Sequence, residues 1–263
     1  MSKKRESTDL DAESRVSGSG EVEAAPGTAK ETIKTVIYAV LIAFMVRTFA
    51  YEPFNIPSGS MKPTLLVGDY LFVSKFSYGF SHYSLPFSPD IFSGRILSGE
   101  PERGDVAVFK QPRDNKTDYI KRIVGLPGDT IQVVGGILQI NGEPVKREKI
   151  EERPERNSMG FPTNVTEYVE TLPNGRRHLI WEVADNLRLD NTPAFKVPEG
   201  HYFGMGDNRD NSQDSRVIGF IPAENLIGRA EFLFFSHDGS ARIWEIWKWP
   251  SAIRFGRLGD GIG

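Results

Sequence analysis

The stretch of residues 118–140, DYIKRIVGLPGDTIQVVGGILQI, carries the clearest structural pattern in the chain. Its first part, Tyr119–Val124, is rich in β-branched and aromatic residues, which predicts a strand. Two further apolar runs, Ile131–Val134 and Ile137–Ile140, flank Gly135-Gly136. Two such runs around a two-residue glycine loop are typical of a β-hairpin. The stretch therefore predicts a β-rich fold.

Short runs of the same kind occur on both sides of this stretch, separated by Gly, Pro, Asn and Asp. No helical period continues for more than a few turns after Tyr51, so we expect a mainly β fold beyond that residue. The additional predicted strands lie at residues 65–72, 105–110, 195–197, 201–205 and 230–235.

Composition divides the chain further. Residues 1–31 are charged and poor in apolar side chains, which predicts a disordered tail. We expect residues 52–144 and 195–240 to form the main β domain, and the polar, weakly patterned residues 145–194 to form a smaller inserted lobe. Residues 241–263 combine Trp with Lys and Arg, so both a membrane-interface segment and a segment packed on the domain stay open.

The overall composition excludes several classes of protein. The chain has 263 residues, of which 39% are hydrophobic and 25% charged, with a formal net charge of -3. These values are ordinary for a globular protein and exclude a collagen or a multi-span membrane protein. They also disfavour a basic nucleic-acid-binding protein, and we expect no nucleic-acid partner. The chain contains no cysteine, which excludes disulfides, thiolate metal sites and cysteine nucleophiles.

One strongly apolar segment, Ile33–Tyr51, has the sequence IKTVIYAVLIAFMVRTFAY. As a helix it would be roughly 28 Å long, close to the thickness of the hydrocarbon core of a bilayer. We therefore predict a single transmembrane helix over residues 32–51. A cleaved signal peptide is an alternative because Thr48-Phe49-Ala50 is a weak small-x-small site, although its basic region would be unusually long. A buried helix of a soluble domain is a second alternative.

The charges around this segment favour one orientation. The positive-inside rule favours a cytoplasmic N-terminus and an exported C-terminal domain. Basic residues are more numerous before the segment than after it: Lys3, Lys4, Arg5, Lys30 and Lys34 precede its apolar centre, and Arg47 follows it.

A serine directly after the apolar segment is the first candidate for catalysis. Residues 56–65 read IPSGSMKPTL, and Gly59 would let a substrate approach the Ser60 hydroxyl closely. A serine nucleophile needs a base. The four histidines lie outside the segments that resemble a site, and each is predicted to be a surface or loop residue: His82, His178, His201 and His237.

Lys121 is the alternative candidate for a base. Strand alternation places it on the same face as Tyr119 and Ile123, so its amine is expected to be partly buried. Burial disfavours the charged form of a lysine and lowers its pKa, and a neutral lysine can accept a proton. On these residues alone, an ordinary surface lysine of a strand is the favoured interpretation.

A polar segment near the end of the predicted domain, residues 204–216, reads GMGDNRDNSQDSR. It does not fit a calcium-binding EF-hand loop: a loop begun at Asp210 has Ser215 where glycine is needed and Ile221 where glutamate is needed. A turn-rich loop held by Asp–Arg pairs fits better, and we expect no metal site.

The order and spacing of four segments closely resemble those of bacterial signal peptidase I. The segments are IPSGSMKPTLLVGD from residue 56, RGDVAVF from residue 103, DYIKRIVGLPGD from residue 118 and MGDNRDNSQDSRVIGFIP from residue 205. The resemblance covers roughly residues 32–258. It implies a β-rich signal-peptidase-like catalytic domain and a serine endopeptidase of the bacterial inner membrane, with the catalytic domain on the periplasmic side. Its partners would be exported preproteins and the lipid bilayer, and no cofactor is implied.

The resemblance also implies roles for individual residues. Ser60 would be the nucleophile and neutral Lys121 the general base, with the Ser58 hydroxyl in the oxyanion hole. Ser212 would hydrogen-bond the Lys121 amine, and a pair of Asp214 and Arg216 would hold the loop. Cleavage would follow small-x-small sites, and the extended substrate would lie beside residues 118–121. The residues that match the family's substrate-binding wall are Phe54, Ile56, Pro57, Met61, Leu65, Asp118, Tyr119 and Ile120.

Two other functions remain as alternatives. One is another Ser/Lys protease, such as a self-cleaving repressor, although the sequence contains no recognisable DNA-binding domain. The other is an inactive, anchored β domain that binds export clients. The chain also departs from many members of the family, because one apolar segment precedes its predicted domain where many relatives have two.

Overall fold

The computed structural model describes residues 26–86, 88, 89, 91–156, 160–242 and 244–263. It divides into two compact units, residues 1–42 and residues 43–263. The described helices are α1 Pro26–Phe49, α2 Ser215–Ile218 and α3 Trp249–Ala252. Short 3-10 helices cover His82–Ser84, Arg209–Asn211, Ala223–Asn225, Ile246–Lys248 and Phe255–Arg257.

The regular elements of the second unit are mainly β-strands, as the sequence predicts. Their bounds are β1 Tyr51–Asn55, β2 Asp69–Ser74, β3 Val106–Lys110, β4 Asp118–Gly125, β5 Thr130–Val134, β6 Ile137–Ile140, β7 Glu143–Pro144, β8 Lys146–Arg156, β9 Pro162–Thr171, β10 Arg177–Glu182, β11 Phe195–Lys196, β12 His201–Met205, β13 Ile221–Pro222 and β14 Leu226–Ser236. The mainly β fold class is therefore confirmed.

Helix α1 begins at Pro26, earlier than residue 32 where the sequence analysis places its start. Proline suits the first turn of a helix because the backbone N–H that it lacks would have no partner there. The predicted disorder of residues 26–31 is therefore wrong, and residues 1–25 lie outside the described part of the chain. Within α1, Ala29–Phe49 is long and apolar enough to cross a membrane, with a mean hydropathy of 1.6.

The largest sheet has seven strands in the order β1-β2-β14-β3-β4-β12-β13. All its neighbouring strands pair antiparallel. Side chains of β2, β3 and β14 form its core, where Leu71, Val106 and Leu233 are almost completely buried. Strand β4, which carries Lys121, thus lies inside the sheet: β3 pairs with its residues 118–122, and β12 pairs with it from Arg122 to Gly125.

The predicted strand at residues 65–72 begins later than expected, at Asp69. Leu65 and Leu66 lie outside any strand instead, and Gly68, in the turn that follows, has a φ of 90°, a conformation that favours glycine. A Cβ at Gly68 would lie 2.1 Å from the His237 carbonyl oxygen. The chain therefore turns sharply here before it enters β2.

The hairpin predicted around Gly135-Gly136 is confirmed. Strands β5 and β6 pair with Val134 opposite Ile137, and both glycines have positive φ. Two residues with positive φ are what a type I′ hairpin turn requires. The hairpin belongs to a four-stranded sheet of order β11-β5-β6-β7 and buries Ile131 and Leu138 against β4 and β12 residues.

Strands β8, β9 and β10 form a separate three-stranded sheet of order β10-β9-β8. Its strand β10 contacts the segment after β12, because the Trp181 N–H donates a hydrogen bond of 2.9 Å to the Asp207 carbonyl. The prediction that His178 is a surface or loop residue is wrong. Its ring is buried in β10, with Nε2 3.3 Å from the Glu170 carboxylate.

The end of the chain packs on the seven-stranded sheet. The Arg257 guanidinium contacts the buried Asp69 carboxylate at 2.6 Å, and the Ile262 N–H donates to the Glu231 carbonyl. Trp244 and Trp247 remain exposed. Residues 241–263 were expected either to lie at a membrane interface or to pack on the domain. For the last residues of the chain, the structure shows packing on the domain.

Candidate active site

Ser60 and Lys121 meet in the structure although 61 positions separate them in the chain. Lys121 Nζ lies 2.9 Å from Ser60 Oγ, and it also donates a hydrogen bond of 2.7 Å to the Ile120 carbonyl. The strand β4 supplies the lysine and the loop after β1 supplies the serine. The pair is therefore formed by the sheet, which brings distant segments of the sequence together.

Lys121 is only 4% exposed, so its amine is surrounded by protein. Its Nζ lies 5.3 Å from the centre of the Tyr119 ring, which confirms that both side chains share one face of β4. Burial lowers the pKa of Lys121 to about 8, although the carboxylates of Asp214 and Asp207 act in the opposite direction. About one tenth of the amine is thus neutral at pH 7.

Asn208 fixes the backbone around Ser60. Its N–H donates a hydrogen bond of 3.1 Å to the Ser60 carbonyl, and its side-chain Nδ2 donates one of 3.0 Å to the Gly59 carbonyl. Two successive carbonyls of the serine loop are thereby held by one residue. In the sequence, the place of Asn208 within the motif MGDNRDNSQDSR is the signal for such a role, and no side-chain pattern adds to it.

Asp207 joins three segments through one carboxylate. It accepts two hydrogen bonds from Arg122, at 2.9 and 2.8 Å, and one of 2.5 Å from the Thr64 hydroxyl. Burial raises the pKa of this carboxyl, but Arg122, His178 and Thr64 together lower it by more, so the net pKa is below its ordinary value. Sequence reasoning assigned neither residue of this ion pair to the site.

Two glycines, Gly204 in β12 and Gly206 directly after it, allow this part of the chain to approach the pair. A Cβ on Gly204 would lie 3.1 Å from Lys121 Cβ, and one on Gly206 would lie 2.6 Å from the Ser60 carbonyl oxygen. The second distance is shorter than real Cβ contacts. Glycine is therefore required at position 206 because a side chain would collide with the serine loop, and not because the backbone turns there.

Ser58 lies beside the pair as predicted, with its hydroxyl oxygen 3.4 Å from Ser60 Oγ. It is on the surface of the same groove as Ser60. A hydroxyl here can donate to an oxyanion that forms next to Ser60.

The three residues predicted to support the base are all buried near the site. Asp214 and Arg216 form the predicted pair, with two side-chain hydrogen bonds of 2.9 Å. Burial raises the pKa of Asp214, but the pair with Arg216 and further hydrogen bonds together lower it by more. The predicted hydrogen bond from Ser212 to Lys121 is not formed. Ser212 instead packs against Gly206, where a Cβ would lie 2.3 Å from its hydroxyl oxygen.

A groove of about 670 Å³ runs past Ser60 and Lys121. Six of the eight residues predicted to bind substrate line it: Phe54, Ile56, Pro57, Asp118, Tyr119 and Ile120. Met61 and Leu65 do not line the groove, because both are completely buried in the core behind Ile56. These two residues therefore do not form the predicted contact with a substrate. They pack behind the wall of the groove instead.

One edge of β4 faces this groove. Residues 118–122 pair with β3, whereas pairing of β4 with β12 begins only at Arg122, opposite Met205. Within the described residues, the second edge of β4 from Asp118 to Lys121 therefore has no strand partner. An extended polypeptide can add to such an edge through backbone hydrogen bonds.

Within the described part of the chain, no group of three or more His, Asp or Glu side chains is arranged to hold a metal ion. The chemistry available in the groove is that of a hydroxyl beside a buried amine.

Comparison with known proteins identifies the family. Residues 29–235 match the family model described as signal peptidase, peptidase S26. The chain belongs to this family. The resemblance seen in the sequence motifs is thus confirmed, and the chain is a signal peptidase, a hydrolase of the serine protease class. A Ser/Lys dyad is a general property of the family.

Individual relatives are consistent with this family. The signal peptidases I of Rickettsia typhi and Rickettsia conorii are each 44% identical to this chain over 218 residues. The alignments cover 80% of this chain and 81% and 80%, respectively, of the relatives. A solved structure, signal peptidase I from Enterococcus faecalis V583, is 26% identical, covers 49% of this chain and 96% of that chain, and has a TM-score of 0.31.

Proposed function

We propose that this signal peptidase is a membrane-anchored endopeptidase that removes signal peptides from exported preproteins, with Ser60 as nucleophile and Lys121 as general base. The observation that carries the proposal is the 2.9 Å contact between Lys121 Nζ and Ser60 Oγ. A nucleophile and its base must lie within hydrogen-bond reach of each other. The low pKa of the buried amine makes it usable as a base near neutral pH.

The reaction proceeds in two halves. The neutral Lys121 amine takes the Ser60 proton while Ser60 Oγ bonds to the carbonyl carbon of the scissile peptide. The resulting ammonium gives that proton to the leaving nitrogen, the C–N bond breaks, and an acyl-enzyme remains. Water then attacks the ester with Lys121 again taking and returning one proton, which releases the signal peptide and restores both side chains.

The negative charge that forms on the carbonyl oxygen needs hydrogen-bond donors. We assign this role to the Ser58 hydroxyl together with the Ser60 backbone N–H. The Ser58 side chain adjoins the nucleophile, with the two hydroxyl oxygens 3.4 Å apart. Donors that are fixed before the reaction stabilise the transition state more than the substrate, and removing one of them costs about 100- to 1,000-fold in kcat.

Substrate selection follows from the edge of β4 and the groove beside it. We propose that the segment before the cut adds as a strand along residues 118–121. In a strand, alternate side chains point the same way, so the first and third residues before the cut face one wall. Phe54, Ile56 and Ile120 line the groove there, with the buried Met61 and Leu65 behind it. A packed wall leaves room for small side chains only, which gives the small-x-small preference.

The apolar helix α1 supplies the anchor in this proposal. Ala29–Phe49 is long enough to span a bilayer, and basic residues are more numerous on its N-terminal side. We therefore propose a single-pass protein of the bacterial inner membrane with a cytoplasmic N-terminus and the catalytic domain on the periplasmic side. Signal peptides also insert in that membrane, so anchoring raises the effective concentration of the enzyme near its substrate.

Cleavage of a preprotein with an Ala-x-Ala site by the full chain in detergent tests this function. We expect one product, cut after the second alanine, and no cleavage by Ser60→Ala or Lys121→Arg, because arginine stays protonated. The matched control is Ser98→Ala at an exposed position, which should cleave at the wild-type rate. Cleavage by Ser60→Ala at the wild-type rate would refute the assignment of the nucleophile.

A further inference from the structure

One part of the groove is polar, and its residues come from two distant segments. Lys62 Nζ lies 3.4 Å from a Glu155 carboxylate oxygen, and Arg156 lines the same groove. A Cβ on Gly59 would lie 3.5 Å from the Lys62 side chain and 3.9 Å from Asn211 Nδ2. We call Lys62, Glu155, Arg156 and Asn211 the polar end of the groove. It directly adjoins the loop that carries Ser60.

The inserted three-stranded sheet contributes two of these residues. Strands β8 and β9 pair antiparallel with Glu155 opposite Thr163 and Arg156 opposite Pro162. The other end of this pair of strands, where Lys146 lies opposite Thr171, is roughly 30 Å away at the usual rise per strand residue. One end of the ribbon formed by β8 and β9 therefore belongs to the groove.

Contacts through Trp181 hold this ribbon in place. Lys62 Nζ and the Arg153 guanidinium each lie 5.8 Å from the centre of the Trp181 ring. The backbone N–H of Trp181 donates a hydrogen bond to the backbone carbonyl of Asp207, the residue before Asn208. The ribbon and the Ser60 loop are thus fixed to the same segment, which keeps the position of the polar end constant relative to the nucleophile.

The polar end carries a net positive charge. Glu155 is paired with Lys62, whereas the Arg156 guanidinium donates a hydrogen bond of 2.8 Å to a neutral acceptor, the Gly160 carbonyl. Among the residues that the structure describes, no carboxylate forms an ion pair with the Arg156 side chain. Arg156 is also exposed, so its remaining donors are accessible from the groove.

The direction in which a substrate binds determines which part of the substrate reaches the polar end of the groove. On the function proposed above, the residues before the cut lie against the apolar wall of Phe54, Ile56 and Ile120. A polypeptide that passes Ser60 in one groove must then direct the residues after the cut towards the remaining surface. We propose that the polar end binds the first residues of the mature polypeptide and that Arg156 selects for an acidic side chain there.

Substrates that differ in charge after the cut test this inference. One preprotein carries Asp, Asn or Lys, in turn, at each of the first three positions of its mature region. At one of these positions we expect the wild-type kcat/KM to be about two- to five-fold higher with Asp than with Lys, the range of a solvent-exposed ion pair. Arg156→Glu should reverse this order, and Arg156→Gln should abolish it.

The matched control is Arg177→Glu, an exposed arginine that pairs opposite Thr171 at the far end of the same sheet. It should keep the wild-type order. Equal wild-type rates with Asp and Lys at all three positions, or an unchanged order in Arg156→Glu, would overturn the inference. Cleavage of the Asn substrates shows that each variant is folded and active. If the wild type cleaves none of the substrates, the proposed function fails together with the inference.

Discussion

Arg122 and Asp207 form a completely buried ion pair, with both side chains 1% exposed and two hydrogen bonds of 2.9 and 2.8 Å between them. Arg122 is the neighbour of Lys121 in β4, and the same Asp207 carboxylate accepts the Thr64 hydroxyl from the serine loop. The strand of the lysine and the loop of the serine are therefore tied to one carboxylate, which fixes the distance between Ser60 and Lys121.

Removing one partner of this ion pair should destabilise the whole domain. Asp207→Ala leaves the Arg122 guanidinium buried without its counter-charge, so we expect the free energy of unfolding to fall by about 3–5 kcal/mol. Chemical denaturation of the full chain in detergent measures the change. Glu148→Gln, which affects exposed ion pairs with Lys146 at 2.5 Å and Arg177 at 3.9 Å, is the control and should change stability by less than about 0.5 kcal/mol. Similar values for both variants would show that the buried pair does not hold the domain.

Asn208→Ala should reduce turnover more than it reduces stability. The variant loses the hydrogen bond from Asn208 Nδ2 to the Gly59 carbonyl, so the serine loop is less well held. We expect kcat to fall about tenfold with little change in KM, equivalent to one hydrogen bond of average strength. The control is Asn174→Ala, which removes an amide hydrogen bond to the Arg103 carbonyl at an exposed site. Equal kcat values for the two variants would exclude a positioning role for Asn208.

Gly206→Ala should inactivate the enzyme. The new methyl group would lie 2.3 Å from the Ser212 hydroxyl and 2.6 Å from the Ser60 carbonyl oxygen, so the serine loop would have to move. A displacement of about 1 Å at a nucleophile can cost 100-fold, and we expect at least that loss in kcat/KM. Gly256→Ala, where a Cβ would meet nothing within 4 Å, should keep full activity. A fully active Gly206→Ala variant would contradict the close approach.

The buried amine of Lys121 should cost stability at neutral pH. Its pKa is about 8 in the folded chain against an ordinary value of 10.5, so between these pH values the unfolded chain binds the additional proton. Stability therefore rises with pH across this window, and below pH 8 the full penalty of roughly 3 kcal/mol applies.

Lys121→Met should remove this penalty. We expect the variant to be more stable than the wild type at pH 7 and its advantage to shrink as the pH rises from 8 to 10.5. Denaturation curves of both proteins at several pH values measure the difference. An advantage that stays constant over this range would show that the amine is not destabilised by burial.

The sequence predicted the parts of the fold that carry a regular pattern. Strand β12 has the predicted bounds, and the hairpin of β5 and β6 follows from alternating apolar residues around two glycines. Strand β8 was missed because Lys146–Arg156 reads KREKIEERPER, with charged side chains on both faces. Its position depends on pairing with β9, which no local pattern reveals.

The site was predicted from motifs, and the errors concern burial and contacts. The motifs identified Ser60 and Lys121 but not the distance between them, because that distance depends on how the seven-stranded sheet is assembled. Met61 and Leu65 lie in a motif next to the serine, yet the turn directs both into the core. Asp207 was not assigned because its partner, Arg122, lies 85 positions away in the chain.

The dependence of kcat/KM on pH tests the central claim most directly, because it reports the ionisation of groups in the free enzyme. If neutral Lys121 is the base, kcat/KM should rise about tenfold per pH unit below pH 8 and level off above it, since its pKa is about 8. A preprotein with an Ala-x-Ala site and the full chain in detergent suffice for the measurement. A profile that is flat from pH 6 to pH 10, or that falls as the lysine loses its proton, would contradict the assignment of Lys121 as the base.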